Sequence, residues 1–331
     1  MEPIADSDEV VSAIDQRGAG GLLVIGTTRP FSNSNVYQPQ HGPVLSHNFP
    51  IVALKTCPSD PSLLVTISDR IRVWKNDSLV AVLDPHDASA DVCPFTAVDF
   101  FQKLFAVTDV SGHCSVWSVE SQQPLQVYSL GEGRRFYDVC FVSEHIVACV
   151  SETGALFVVD RRSHTVVCSE LVEAVPSCQP CLLKWQGTQV LLAHQTAGTV
   201  HAMELCSLSQ AAGPGPKLVG SSSSNRGSIA AIAWVPNTAD FFVLARDSDV
   251  VEVWNVKNLN APYFEYSLGV GKVAASVFVH ENTCIIGTTT GELVRTQLPS
   301  NMRSDRGWLG VTFDDSNSFN PPTHTSYPAL G

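Results

Sequence analysis

The chain has 331 residues, with 20 Lys plus Arg against 32 Asp plus Glu, 44% hydrophobic residues and 16% charged ones. A charged fraction well below the usual ~25% leaves too little repulsion to keep a chain expanded, which excludes a disordered polymer and leaves one large core or two small ones. The formal charge of −12, with no run of Lys or Arg, argues against direct nucleic-acid binding, because phosphates are held by clustered basic residues.

Taken in chain order, the opening residues Met1 to Glu9 are acidic and offer neither a basic n-region nor an apolar h-region. No cleaved secretory signal is expected, and residues 1–8 read as an N-terminal tail of an intracellular protein. The most apolar window, Ser228 to Ala245, is broken by Pro236, Asn237 and Asp240, so it predicts two strands and a turn rather than a membrane span. Ten Cys are scattered from Cys57 to Cys284, which in a reducing compartment suits small buried hydrophobes rather than a disulfide framework.

Val accounts for 42 residues, mostly in apolar runs of four to seven broken by Gly, Ser, Asp or Pro, which is the punctuation of strands. One unit recurs: a strand, a polar turn, then a strand closing on an aromatic or apolar residue. It covers Leu63 to Trp74, Leu104 to Trp117, Ile146 to Asp160, Val190 to Met203, Phe241 to Trp254 and Cys284 to Thr296. Trp74, Trp117, Val159, Met203, Trp254 and Thr296 are then equivalent, at spacings of 43, 42, 44, 51 and 42 residues. Five residues before them stand Asp69, Gly112, Gly154, Gly198, Asp249 and Gly291, types that a tight hairpin needs. Upstream apolar runs at Pro50 to Leu54, Phe95 to Phe100, Phe136 to Val142, Cys181 to Trp185, Ile229 to Trp234 and Val273 to Val279 predict innermost strands.

A weaker unit precedes these, with Val10 to Ile14, Leu22 to Ile25 and Asn35 to Gln38, placing Tyr37 at the equivalent position. Seven repeats of ~40 to 45 residues with four strands each predict an all-β, seven-bladed WD40-type β-propeller over residues 9–313. The long interval holds residues 206–227, where Gly213 to Pro216 and Ser221 to Ser224 predict an extended flexible loop. Trp308 to Phe313 offers an outermost strand for the last blade, with ring closure by the N-terminal residues as the alternative. Residues 314–331 read as a C-terminal tail.

Motifs for chemistry fail one by one. Gly269-Val-Gly-Lys272 resembles the end of a phosphate loop, but Tyr266 stands where its first Gly belongs and Val273 replaces Ser or Thr. Gly18 to Gly21 precedes a strand instead of following one. Asp247-Ser-Asp249 lacks the Gly and distal Glu of a calcium loop. Cys178-Gln-Pro-Cys181 has metal-like spacing without a second pair at finger distance, and the ten His form no His-x-x-x-His pair. No catalytic residue, cofactor or metal is expected, and the chain does not read as an enzyme.

Val159-Asp160-Arg161-Arg162 is similar to the Trp-Asp-x-Arg ending of WD repeats, with Val in place of Trp, while the Gly-His openings of such repeats are missing. Packing between blades, rather than hydrogen-bonded tetrads, is therefore expected to hold the disc. Ser46 to Pro50, Asp60 to Asp69, Arg70 to Trp74, Ala90 to Asp99, Arg135 to Phe141 and Ile232 to Pro236 resemble, in the same order, segments of the Transparent Testa Glabra, anthocyanin-eleven and DCAF seven family. The resemblance spans about residues 20 to 298. It implies a non-catalytic scaffold of nucleus and cytoplasm, with dual-specificity kinases or basic helix-loop-helix and MYB regulators as partners. It also implies an alternative, a substrate receptor that docks a cullin-4 ligase adaptor.

On a propeller, residues just before the innermost strands surround the central opening, where a partner segment can lie. Arg134, Arg135 and Tyr137 hold that place in the fourth unit, as an anchor for an acidic or phosphorylated segment or as a solvated turn with Tyr137 packed between blades. Arg70 and Arg246 are expected to contribute from the outer hairpins. Asp160 and Arg162 carry the adaptor alternative, against the reading that Asp160 caps a turn and Arg162 makes a local ion pair.

Overall fold

The structure, a computed structural model, describes residues 10–17, 22–28, 34–38, 42–47, 51–83, 95–131, 134–169, 180–184, 189–194, 198–204, 217–222, 227–235, 238, 240–280, 282–299 and 302. The described residues hold 27 strands, grouped strictly by sequence. Blade 1 comprises β1 (Val10–Arg17), β2 (Leu22–Thr28), β3 (Ser34–Gln38) and β4 (Gly42–His47). Blade 2 comprises β5 (Ala53–Cys57), β6 (Asp60–Ile67), β7 (Ile71–Lys75) and β8 (Ser78–Leu83). Blade 3 comprises β9 (Phe95–Phe101), β10 (Leu104–Asp109), β11 (His113–Ser118) and β12 (Gln126–Ser129). Blade 4 comprises β13 (Phe136–Phe141), β14 (Ile146–Ser151), β15 (Leu156–Asp160) and β16 (Thr165–Ser169).

Blade 5 comprises β17 (Pro180–Lys184), β18 (Gln189–His194), β19 (Thr199–Glu204) and β20 (Lys217–Ser222). Blade 6 comprises β21 (Ile229–Trp234), β22 (Phe241–Arg246), β23 (Val250–Asn255) and β24 (Phe264–Ser267). The last unit has three strands, β25 (Ala274–His280), β26 (Thr283–Thr288) and β27 (Leu293–Gln297). All pairs are antiparallel meanders. The innermost strands β1, β5, β9, β13, β17, β21 and β25 each lie beside the next, and β25 lies beside β1. This is a β-propeller with small antiparallel four-stranded blades.

Two expectations are corrected. The structure shows six four-stranded blades, not seven, because β25–β27 has three strands among the described residues; the proposed fourth, Trp308 to Phe313, lies outside them. The stretch 206–227 is not loop throughout: Lys217–Ser222 forms β20, the outer strand of blade 5, with a bulge at Ala202/Met203. Lys217-Leu-Val supplies enough β-forming character to pair once β19 is in place, and Ser222 Oγ accepts the Val200 amide at 3.1 Å. The tails 1–8 and 314–331, Gly18 to Gly21 and Cys178 lie outside the described residues.

The repeat positions coincide strand for strand. Tyr37, Trp74, Trp117, Val159, Met203, Trp254 and Thr296 all lie on the third strand of their sheet, opposite Ile25, Leu64, Phe105, Val147, Val190, Phe242 and Cys284. The hairpin Gly112 has φ 96, so a left-handed turn rather than chance composition explains its recurrence. The core is divided between blades: one cluster joins Val65, Ile67 and Val73 to Phe105 and Trp117, and another joins Cys114 and Tyr128 to Phe136, Phe141 and Phe157. Each fully buried side chain of this kind contributes about 1.5–3 kcal/mol, and because each of these clusters draws on two blades, that burial ties neighbouring blades together. Cys57, Cys114, Cys140, Cys149 and Cys284 are buried free thiols, and burial pushes Cys284 up to about 12, which suits the packing role.

Candidate functional site: a protein-binding face

Antiparallel order sorts every connection onto one of two faces. Turns between second and third strands, and connections into the next innermost strand, share the upper face; the remaining turns share the lower one. Arg70, Arg134, Arg135 and Tyr137 therefore belong to the upper face, and Asp160 with Arg162 to the lower. The structure does not bring the two groups together.

On the upper face, Arg134 and Arg135 form the last step into β13. The Arg135 carbonyl accepts the Glu152 amide at 2.8 Å, the Arg134 amide donates to the Gly131 carbonyl at 3.2 Å, and the Arg134 guanidinium lies 5.8 Å from the Phe157 ring centroid. The backbone is thus held from two sides while the Arg135 side chain remains exposed. Tyr137 is half-buried and occupies a β-bulge: Phe136 pairs with Ser151 and Asp138 with Val150, leaving Tyr137 as the extra residue. A bulge re-aims its side chain, and the same device recurs at Ser12, Thr96, Ala230 and Ala275. Only in blade 4 is the extra residue of these five aromatic.

Arg70 is exposed at the β6–β7 turn. Beside it, Arg72 grips Asp69 with Nη1 at 2.6 Å and Nη2 at 3.2 Å. Burial raises the Asp69 carboxyl, but the Arg72 and Ser68 hydrogen bonds outweigh it and hold the group down at about 2. The upper face also exposes two apolar side chains, Val52 at the entry to β5 and Val270 between Gly269 and Gly271 before β25. Val270 is 101% exposed, while Leu268 is buried and Lys272 Nζ pairs with Glu292 at 2.8 Å, so the loop is anchored at both ends around a projecting tip.

Arg246 does not join this surface. It is 0% exposed at the end of β22, where Nε and Nη2 donate to Glu252 Oε2 at 2.9 and 2.7 Å, and Nη1 donates to the Gly198 and Gly227 carbonyls, each at 3.0 Å. Trp254 Nε1 donates to the same Glu252 oxygen at 2.9 Å. This arginine ties blade 5 to blade 6 and is not a surface anchor. The signal lay in the repeat: eight residues before the equivalent position stand Asp109, Ser151 and Thr288, polar groups that close their own hairpins.

On the lower face, Asp160 is 4% and Arg162 59% exposed by side chain. Asp160 Oδ1 accepts the Arg162 amide at 2.9 Å and Nε at 3.5 Å. Burial pulls this carboxyl upward, but the Arg162 amide and guanidinium outweigh it and keep the group below the usual carboxylate range. Asp160 therefore caps the β15–β16 turn. Arg161, the variable position of the Trp-Asp-x-Arg-like ending, is the staple: its Nε donates to Gln126 Oε1 at 2.8 Å, Gln126 Nε2 donates back to the Arg161 carbonyl at 3.1 Å, and Nη1 reaches the Glu144 carbonyl. Blade 3 thus holds the turn in place while Arg162 faces solvent.

The fold defines the chain as a β-propeller. No protein-family model and no curated protein matches it. Among solved structures it is similar to the computationally designed Ika8 protein, at TM-score 0.58 and 13% identity over 88% of this chain and 97% of that one. A likeness at that identity concerns the fold alone. Among the described residues no helix is long and apolar enough to cross a membrane.

Proposed function

We propose that the chain is a non-catalytic protein-interaction scaffold that receives an extended acidic or phosphorylated segment on its upper face. The observation that carries this reading is the blade-4 entry, where a fixed backbone presents exposed Arg135 beside the bulged Tyr137, the residue types favoured at hot spots. Exposed Val52 and Val270 on the same face add the apolar contact that a charged anchor alone lacks. We further propose that the three-stranded unit counts as a seventh blade, because β25 completes the ring with β1. The resemblance to the Transparent Testa Glabra, anthocyanin-eleven and DCAF seven family supports kinases or transcription regulators as the partners, in nucleus and cytoplasm.

A second reading, a cullin-4 substrate receptor, is favoured by one specific observation: Arg162 is presented outward on a stapled lower-face turn. Quantitative affinity purification of the tagged chain separates the two. Capture of kinases or regulators that is lost in Arg135→Glu and kept in Arg162→Ala supports the scaffold. A ligase adaptor lost only in Arg162→Ala supports the receptor, and the same partners from all three samples would overturn both assignments.

A further inference from the structure

We propose that Ser163, at the tip of the β15–β16 turn, is a phosphorylation site for a basophilic protein kinase. It follows Arg161 and Arg162 directly, and Arg162 to Val166 are all exposed. Among the described residues, the exposed turn hydroxyls Ser59, Ser111, Thr153, Thr289 and Thr290 directly follow Pro58, Val110, Glu152, Thr288 and Thr289 and have no basic residue directly before them. An acidic kinase cleft therefore has the exposed Arg162 to grip at this turn, while Arg161 stays tied to Gln126 and Glu144.

The local mechanics allow the segment to be presented. Everything up to Arg161 is fixed, by the Asp160 cap and by the Gln126 and Glu144 ties. Beyond it, His164 sits in the left-handed region at φ 54, a conformation that costs a non-Gly residue about 1–2 kcal/mol. The strand that follows, β16, is the outermost of its blade and pairs with β15 alone. Outer strands open locally at far lower cost than core strands, so Arg162 to Val166 can extend into a cleft while the blade stays folded.

The product is stabilised where it forms. Ser163 Oγ attacks the γ-phosphorus of ATP, its proton passes to the kinase base, the bond to the β-phosphate oxygen breaks and ADP leaves. The new group carries close to two negative charges. Ser163 Oγ already lies 2.8 Å from Thr165 Oγ1, a donor for the phosphate, and Arg162 Nε is held by Asp160 only at 3.5 Å. A charge-assisted bond to the phosphate is stronger, so the modification draws Arg162 onto itself and removes the exposed cation of this turn. This switch acts on the lower face and does not depend on which partner binds the upper one.

The test incubates the folded full chain with ATP and a purified basophilic kinase catalytic subunit, and maps phosphate by mass spectrometry. Wild type should take one phosphate at Ser163 and Ser163→Ala none there. Thr165→Ala should still take its phosphate at Ser163, and Arg162→Ala should take it about tenfold more slowly, the effect of one lost charge-assisted contact. The three sites are exposed, and circular dichroism of each variant should match wild type. Phosphate on Thr165 instead, an unchanged rate in Arg162→Ala, or labelling of Ser163 only after unfolding in urea overturns the proposal.

Discussion

Replacing Glu252 by Ala should destabilise the propeller more than any surface substitution. The carboxylate oxygen Oε2 accepts three hydrogen bonds, two from Arg246 at 2.9 and 2.7 Å and one from Trp254 Nε1 at 2.9 Å, at a site with no solvent access. Each charge-assisted bond is worth about 1.5–3 kcal/mol, and removing one partner of a buried ion pair costs about 3–5 kcal/mol because the remaining charge keeps its desolvation penalty. That is about a fifth or more of the ~5–15 kcal/mol that a folded domain has in reserve. Arg246→Met together with Glu252→Leu removes both charges and should lose less than the sum of the two single substitutions. It will not be neutral, because the Gly198 and Gly227 carbonyls each lose a donor now at 3.0 Å, at about 1–3 kcal/mol apiece. Urea unfolding followed by tryptophan fluorescence measures the cycle of Arg246→Met, Glu252→Leu and the double variant. A coupling energy below about 0.5 kcal/mol, the level expected of independent sites, would refute the account of this network as one unit.

Acid should unlock the Asp69–Arg72 clasp in a defined window. A carboxyl held at about 2, below its usual 3.8, adds stability that is full above pH 4 and lost as pH falls toward 2, amounting to roughly 2 kcal/mol before solvent screening. Asp69→Asn should therefore be less stable than wild type at pH 5, with the difference shrinking as pH falls through 2; a difference as large at pH 2 as at pH 5 would sink the assignment. Gly112→Ala should lower Tm far more than Gly271→Ala. Both have positive φ, which costs an L residue about 1–2 kcal/mol, but only the first would drive its Cβ to 2.0 Å from the Gly131 carbonyl oxygen. Equal shifts would show that strain and not the close approach of the two backbones fixes this turn. Arg161→Ala should cost about 1–2 kcal/mol through the lost tie between blades 3 and 4, whereas Arg162→Ala should leave the urea midpoint unchanged.

What could be seen in the sequence follows from which interactions are periodic. The third-strand positions Trp74, Trp117, Val159 and Trp254 repeat because each packs into a cluster shared with a neighbouring blade, and the three Trp do so while donating to Thr66, Ser115 and Glu252. Spacing alone therefore located them. A bulge leaves no such trace, since two residues opposing one is a property of a strand pair and not of either strand, and Tyr137 was readable as a residue near the opening but not as the re-aimed member of a recurring set. Arg246 was misplaced for the opposite reason. Its charge suggested the surface, yet its register is the buried closing position of the hairpin, and the counter-charge that permits burial lies six residues on at Glu252. Lys217–Ser222 was hidden by the Gly, Pro and Ser residues around it, because an outer strand is held mainly by the backbone of its neighbour and needs little apolar content of its own. On a propeller, then, periodicity identifies what packs between blades, and the residues available to a partner are those that break the pattern without closing a hairpin or pairing with a neighbour. Arg135 meets that criterion on the upper face, and Arg162, exposed and tied to Asp160 through Nε only at 3.5 Å, comes nearest to it on the lower, which is why the experiments on function turn on these two.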